Sequence, residues 1–263
     1  TTPDTIVRFD NILYATDDKW QILDVYKPKN YEEKLPVIVN VHGGGWIYGT
    51  KEVYQFYCMS LAEKGFAVVN FNYRLAPENK YPSSLEDTNN VFKWILKNQE
   101  VYNFDCDNIF AVGDSAGANL LALYAAVLTN NSLQKDYAFD FPQELKLKAI
   151  GLNCGKYNMR KFDLVFTGLF EKKSKYNYKY LDVITKISSN FPPVLLMTCQ
   201  GDFLKNEIYK LIKILDKNHV PYQCNLYGTK KEPLWHDFHC DTNLLDAKRF
   251  NKTQIDFFIS FFK

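Results

Sequence analysis

One pentapeptide limits this chain more than any other feature: Gly113-Asp114-Ser115-Ala116-Gly117. In G-x-S-x-G the serine needs a very sharp strand-to-helix turn. Side chains two residues to either side would collide, so both flanks are glycine. By composition alone the pattern arises in roughly one chain in ten of this length, so its surroundings decide. Asn108-Ile109-Phe110-Ala111-Val112 before it reads as a short buried strand. Residues 116–129 after it, with Leu120, Leu121, Leu123, Tyr124, Val127 and Leu128, read as a buried helix. Strand, turn and helix are the context the pattern requires. The turn lifts the Ser115 hydroxyl clear of the sheet, where a base and an ester carbonyl can reach it. A glycine-rich turn with an incidental serine is the plainer alternative. It loses ground to an earlier stretch, Val41-His42-Gly43-Gly44-Gly45-Trp46. Glycines there let backbone N–H groups approach a developing oxyanion with no side chain in the way.

Residues 5–14 and 20–26 read as two strands of an antiparallel meander. Strands are then expected over 35–41, 66–73, 108–112, 146–154, 193–199 and 222–227. Helices are expected over 53–64, 83–98, 116–129, 205–218 and 244–262. Ser83-Ser84-Leu85-Glu86 fits a capping box for one of them. Such alternation predicts an α/β fold, a mostly parallel central sheet with helices on both faces. With 263 residues, 46% of them hydrophobic, the chain fits one domain, 1–263, around a single large core. The segment 155–190 breaks the rhythm. It carries Tyr157, Phe162, Phe166, Phe170, Tyr176, Tyr178 and Tyr180 among many lysines. It is expected to be a small cap insertion whose aromatics face the substrate, a solvated helical connection being the alternative. Lys172-Lys173-Ser174-Lys175 reads as solvated surface.

A net charge of +2, from 32 basic and 30 acidic residues, argues against nucleic acid or an anionic membrane as partner. The longest apolar runs, such as Phe66-Ala67-Val68-Val69 and Phe257-Phe258-Ile259, are too short to span a bilayer. Thr1-Thr2-Pro3-Asp4 shows no basic-then-apolar leader pattern. Cys58, Cys106, Cys154, Cys199, Cys224 and Cys240 form no C-x-x-C pair. Cys154, Cys199 and Cys224 fall in expected strands, where a free cysteine serves as a small core residue. These features predict reduced thiols in a cytoplasmic protein, an exported protein with one or two disulfides being the alternative.

A serine hydroxyl is a poor nucleophile without an adjacent base. The chain has four histidines. His42 belongs to the glycine loop and reads as structural, and His219 lies at a helix end on the expected surface. His236 and His239, in Leu234-Trp235-His236-Asp237-Phe238-His239-Cys240, lie between the last strand and the last helix and are the candidate bases. Asp202, in Cys199-Gln200-Gly201-Asp202-Phe203-Leu204, follows a buried apolar strand. That places it on the ligand-binding side of an α/β sheet, a plain loop or capping role being the alternative. The order Ser115, Asp202, His236 is that of the α/β-hydrolases.

With these residues in view, the chain resembles the α/β-hydrolase superfamily, and within it the hormone-sensitive-lipase-like (H-G-G-G) carboxylesterase group. The resemblance runs from residue 35 to the terminal helix. Tyr73-Arg74-Leu75-Ala76-Pro77-Glu78 is similar to that group's segment after the third major strand. Asp202-Phe203-Leu204-Lys205-Asn206-Glu207 resembles D-x-L-x-x-E around the catalytic aspartate, and His236-Asp237-Phe238 resembles H-x-F around the catalytic histidine. The resemblance implies an α/β-hydrolase fold and a serine carboxylesterase that forms an acyl-enzyme and needs neither cofactor nor metal. Its implied partner is a small-molecule ester: a short acyl ester of a small alcohol, a sugar or an aryl alcohol. It implies His236 rather than His239 as base, Asp202 as its partner, and Gly43, Gly44 and Ala116 as the oxyanion donors. The long N-terminal cap of many members has no counterpart here, so 155–190 is expected to roof the acyl pocket.

Three other readings compete. A catalytically inactive binding protein of the same fold would usually lack a triad member, and none is missing. A metal enzyme using His236, His239, Cys240 and Asp241 has helical spacing in its favour, but no H-E-x-x-H and no paired cysteines. A formamidase-type amide hydrolase on the same triad is the nearest alternative chemistry, because kynurenine-type formamidases share an H-G-G-x loop.

Overall fold

Successive strand residues point to opposite faces of a sheet, and the central strands of this chain are apolar on both. In the computed structural model, which describes residues 1–164 and 168–262 and not the side chains of Phe162 and Leu164, eight strands make one sheet. They are β1 (Ile6–Leu13), β2 (Ile22–Pro28), β3 (Leu35–Val41), β4 (Ala67–Phe71), β5 (Phe104–Asp114), β6 (Leu147–Asn153), β7 (Val194–Cys199) and β8 (Tyr222–Tyr227). The helices are α1 (Lys51–Ala62), α2 (Ser83–Lys97), α3 (Gln99–Tyr102), α4 (Ser115–Leu128), α5 (Asn131–Gln134), α6 (Glu207–Lys217) and α7 (Leu245–Ile259). The strand order is β1-β2-β4-β3-β5-β6-β7-β8. β2 runs antiparallel to both β1 and β4, and the other neighbours are parallel. This is the α/β-hydrolase arrangement the sequence predicts.

The alternation sorts the core into two layers. Val37, Val39, Ala111, Ile150 and Leu152 meet Leu85 of α2, Leu121 of α4 and Leu211 of α6. Ile38, Val68, Phe110 and Val112 meet Tyr57 of α1 and Phe258 of α7 on the opposite side. Residues 116–127 of α4 are all buried, because the helix lies on β5 and β6 and is covered in turn by α2. A helix enclosed on all sides has no use for a polar face. Among the described residues, no helix is long and apolar enough to cross a membrane.

Three local expectations need correction. The capping box at Ser83 does not form. The Ser83 hydroxyl donates to the Lys80 carbonyl at 2.6 Å, and Glu86 accepts from the Arg74 guanidinium at 2.7 Å, a charged partner that outcompetes a backbone N–H. Cys224 is exposed rather than a core residue, because β8 is an edge strand with one face open. Within 155–190 the described residues form short 3₁₀ turns (Lys161–Leu164, Tyr178–Leu181, Val183–Thr185) and not the α-helix of the alternative reading. Its aromatics also turn away from the expected direction. Tyr157 is buried, and Phe170, Tyr176 and Tyr180 gather around Tyr81 at ring distances of 5.6, 5.3 and 6.4 Å. Tyr81 and Tyr137 offer them an apolar surface to cover, which a solvent-filled pocket does not. Phe166 and the Phe162 side chain lie outside the described residues. Lys172, Lys173 and Lys175 are exposed, as expected.

Candidate active site

Parallel strands end together, so the loops leaving β3, β5, β7 and β8 converge at one sheet edge. Val41 at the end of β3 is in register with Gly113 near the end of β5. Beyond that pair the chain must turn at once. Ser115 does so with φ 52°, in the left-handed region that a residue with a side chain rarely adopts. The flanking glycines make the turn possible. A Cβ on Gly117 would lie 2.1 Å from the Val41 carbonyl oxygen, and one on Gly113 would lie 2.7 Å from the Gly117 oxygen. Ser115 thus opens α4 and lines a pocket of about 650 Å³.

Asp202 stands in the loop after β7 and is buried. Its Oδ1 faces Nδ1 of His236 at 2.7 Å and accepts the Leu204 N–H at 2.9 Å, while Oδ2 accepts the Thr198 hydroxyl at 2.7 Å. Burial alone would raise its pKa. The hydrogen bonds from His236, Thr198 and Leu204 outweigh burial and hold it below the usual carboxylate range. An ionised Asp202 fixes the proton of His236 on Nδ1, which leaves Nε2 as the basic atom. His236 and Ser115 line the same pocket, with the Phe203 ring 4.4 Å from the imidazole. Among the described residues, no hydrogen bond yet joins Ser115 to His236. Nε2 instead lies 3.1 Å from Oδ2 of Asp237. Catalytic hydrogen bonds are often long or misdirected before substrate binds.

The other histidines sort as the sequence suggests. His42 is buried, stacks on Tyr73 at 4.1 Å and holds the Gly43 carbonyl at 2.6 Å through Nδ1. Burial pushes its pKa down to about 4, so it is neutral scaffolding. His219 is exposed. His239 is buried edge-on against Tyr57 and Phe250, with its pKa pushed down to about 3 by burial. It sits in the core while His236 faces the pocket, so the set His236, His239, Cys240 and Asp241 does not converge.

The oxyanion loop departs from expectation at one residue. The Gly43 N–H donates to the Tyr54 hydroxyl at 3.0 Å and is therefore already engaged. In this state the Gly43 N–H is turned to Tyr54 and not to the pocket. The N–H groups of Gly44, Gly45 and Ala116 make no hydrogen bond among the described residues, and all three residues line the pocket. Gly44 has φ 117°, and a Cβ there would lie 1.9 Å from the Tyr48 oxygen. The sequence could not separate the three glycines, because their difference lies in which N–H the Tyr54 hydroxyl reaches.

The sequence also missed a polar cluster behind the triad. Tyr54 donates to Asp114 Oδ2 at 2.7 Å, and the Asp114 and Asp237 carboxyls are close enough to act electrostatically on each other. The only signal was the carboxylate at the variable position of both G-x-S-x-G and H-x-F. Glu207 also lines the pocket, but its oxygens take the Asn158 N–H at 2.9 Å and Lys210 at 2.6 Å, anchoring 155–190 to α6. One set of donors has metal-ligand proximity: Cys154, Asp202 and His236, with ligand atoms within 4.8 Å of one another. Its chemistry fits a metal poorly. Asp202 and His236 face each other directly, and the Cys199 thiol together with burial holds Cys154 well above the usual thiol range.

Comparison with known proteins places the chain among esterases. The BD-FAE family model matches residues 23–204. Versiconal hemiacetal acetate esterase of Dothistroma septosporum is 28% identical over 229 residues, covering 80% of this chain and 70% of that protein. Esterase LipC of Mycobacterium tuberculosis is 34% identical over 134 residues, covering 50% of this chain and 32% of that protein. Among solved structures, esterase B of Lactobacillus rhamnosus superposes with a TM-score of 0.89 over 99% of this chain and 87% of that one, at 24% identity.

Proposed function

This chain belongs to the BD-FAE family and is an α/β-hydrolase of the esterase kind, and we propose that it is a serine carboxylesterase with Ser115 as nucleophile, His236 as base and Asp202 as its orienting carboxylate. One observation carries the reading: the 2.7 Å contact between Asp202 and His236 opens onto the pocket that Ser115 lines. His236 Nε2 takes the Ser115 proton as Oγ attacks the ester carbonyl. The resulting oxyanion faces the free N–H groups of Gly44, Gly45 and Ala116. Each such donor contributes on the order of a hundred- to a thousand-fold in rate. The imidazolium then returns the proton to the departing alkoxide, leaving an acyl-serine. Water, activated by the same imidazole, attacks this ester and frees the acid.

The pocket supports a class of small substrate. Its wall joins the glycine loop, Tyr54 and Asp237 with the apolar Trp46, Met159 and Leu204, while Tyr48, Val53 and Phe203 at its mouth are largely exposed at 67%, 70% and 76%. That arrangement suits an acetyl to butyryl group on a small alcohol, a sugar or an aryl alcohol. An acetate esterase among the relatives supports the short acyl group. Lys156, Met159, Arg160 and Asp163 join the wall from 155–190, which makes this segment a partial cap on a single domain. Free cysteines throughout support a reducing, cytoplasmic setting.

The test is turnover of p-nitrophenyl acetate and butyrate, with active-site titration by an alkyl phosphonate. The phosphonate is expected on Ser115 in one-to-one ratio. Preference for an N-formyl arylamine over the ester would replace this reading with an amide hydrolase. Neither turnover nor phosphonate uptake would leave a binding protein on a hydrolase fold.

A further inference from the structure

His236 stands between two carboxyl groups, and the esterase reading uses only one. Asp202 meets Nδ1 at 2.7 Å. Asp237 Oδ2 stands 3.1 Å from Nε2, the atom that must accept the serine proton. A full negative charge there would hold a proton on Nε2 and lock the base as imidazolium. Activity at neutral pH therefore requires that Asp237 be kept from ionising fully.

The fold supplies a means. Asp237 has φ 58°, and from that turn its Oδ2 reaches Nε2 of the neighbouring imidazole at 3.1 Å. Its Oδ1 is buried and receives no donor from any described N–H or hydroxyl group. The Asp114 carboxyl faces it from the elbow, itself 1% exposed. Asp114 is out of water, while Asp237 keeps 23% of its side chain exposed at the pocket wall. Like charges this close disfavour double ionisation, so the pair holds one proton between its two carboxyls. Tyr54 orients the pair: its hydroxyl donates to Asp114 Oδ2 at 2.7 Å and accepts the Gly43 N–H at 3.0 Å. The Asp114 side of the pair is tightly packed, since a Cβ on Gly43 would lie 2.4 Å from Asp114 Oδ2.

We propose, on the basis of the esterase reading, that Asp114 and Asp237 are positioning residues that share one proton, keep Asp237 close to neutral beside Nε2, and tie the histidine loop to the oxyanion loop through Tyr54. The surroundings agree. Asp114 faces Tyr54, His236 and the Gly43 N–H, with the field of its charge reaching Tyr57, Tyr73, Cys58 and Cys240. Burial keeps those hydroxyls and thiols neutral. Asp237 faces Asp114, Asp202 and the Cys199 thiol. Among the described residues, the only cation within ion-pair distance of either is the His236 imidazole. Burial first, and then the other's negative charge, lifts Asp237 far above the usual carboxylate range, and burial lifts Asp114 as well.

The experiment compares the parent with D114N, D237N and the double variant, in kcat/KM against pH and in the imidazole titration of His236 followed by NMR. In D114N the introduced amide donates to Asp237, which then ionises beside Nε2. An opposite charge at this range stabilises the protonated base, so the acid limb should move up by about one to three pH units. The double variant should return to the parent limb. D237N should leave the His236 midpoint within about half a unit of the parent, well short of the shift an ionised partner produces. An infrared band of a protonated carboxyl at neutral pH should be present in the parent and lost in D237N. That measurement holds even should D114N fail to fold. A D114N limb that coincides with the parent's, a double variant that does not revert, or no such band would each overturn the pair. An inactive parent whose His236 midpoint still moves in D114N would sink the esterase reading and leave the pair standing.

Discussion

The elbow and the 155–190 segment meet at the same pocket and are held in opposite ways. At the elbow, backbone touches backbone. A Cβ on Gly117 would lie 2.1 Å from the Val41 oxygen and 2.4 Å from the His42 oxygen, and Ser115 is fixed at φ 52° by its neighbours. The 155–190 segment is tied by side chains, most of them from elsewhere. Asn119 donates to the Lys156 and Leu181 carbonyls at 2.7 and 2.9 Å and Glu207 takes the Asn158 N–H, while within the segment Asp182 takes the Met159 N–H at 3.0 Å. Such a strap can exchange its pocket-facing residues without disturbing the sheet. On the proposed reading the difference separates two parts of the pocket: a backbone-locked edge that would carry the reaction, and a strap whose share of the wall is free to vary.

The sharpest way to break that division is to remove chemistry from the locked edge without altering its shape. Ser115→Ala should lower kcat on the order of a million-fold, the scale of measured serine-triad knockouts, while the protein keeps its melting temperature. Retention of most activity in purified S115A would move the nucleophile elsewhere. Next in size is Asp202→Asn. The amide keeps the shape and the Thr198 contact but frees the imidazole to settle in the wrong tautomer. A loss of about ten-thousand-fold in kcat is expected, with an unchanged circular dichroism spectrum. Near-parental activity in D202N would transfer the orienting role, and Glu207 would be the first carboxylate to test.

The same contrast explains what could be read from the sequence. At the elbow, only Gly113 and Gly117 fit, so residue identity reports geometry, and strand, turn and helix were legible together. Asp202 and His236 were legible through chain order and short patterns. The contact of the Gly43 N–H was not legible, because it depends on Tyr54, a residue eleven positions on in a helix whose packing no local pattern reveals. The aromatics of 155–190 were assigned to the substrate because a sequence shows their number and not their partners. Tyr81 and Tyr137, distant in the chain, claim them. The Asp114–Asp237 pair was hidden for a related reason, since each half stood at a variable position of its own motif.

A moderate effect is expected where strap and edge meet. On the proposed reading a longer acyl chain runs out along Val53 and Phe203, which line the pocket and already face solvent. Apolar area that stays wet contributes little binding. Acetyl to butyryl esters should therefore exceed octanoyl esters in kcat/KM, with each unaccommodated methylene forgoing about 1–3 kcal/mol, or roughly ten- to two-hundred-fold. A decanoyl optimum, or activation at a lipid surface, would mean that the strap opens an apolar channel.

The smallest effect on rate should come from the second histidine, and it separates scaffold from chemistry most finely. His239 lies three positions from the base, yet it is buried against Tyr57 and Phe250 with no path to Ser115. His239→Ala should cost at most about tenfold in kcat, as a supporting residue would. It should lower stability at neutral pH by roughly 3 kcal/mol, the low end for truncating a buried ring. The pH dependence gives an independent signature. His239 and His42 titrate near 3 and near 4 in the folded chain, against ~6.5 for an unperturbed imidazole. Between ~6.5 and those values the unfolded chain binds more protons than the folded one. Stability is therefore full above that window and falls as the pH drops through it, by a few kcal/mol for each buried ring. H239A lacks one of the two rings, so its melting temperature should fall less steeply from pH 6.5 to pH 4 than the parent's. Parallel slopes would mean that His239 does not remain neutral in the folded chain. A collapse of kcat equal to that of S115A would make His239, and not His236, the base.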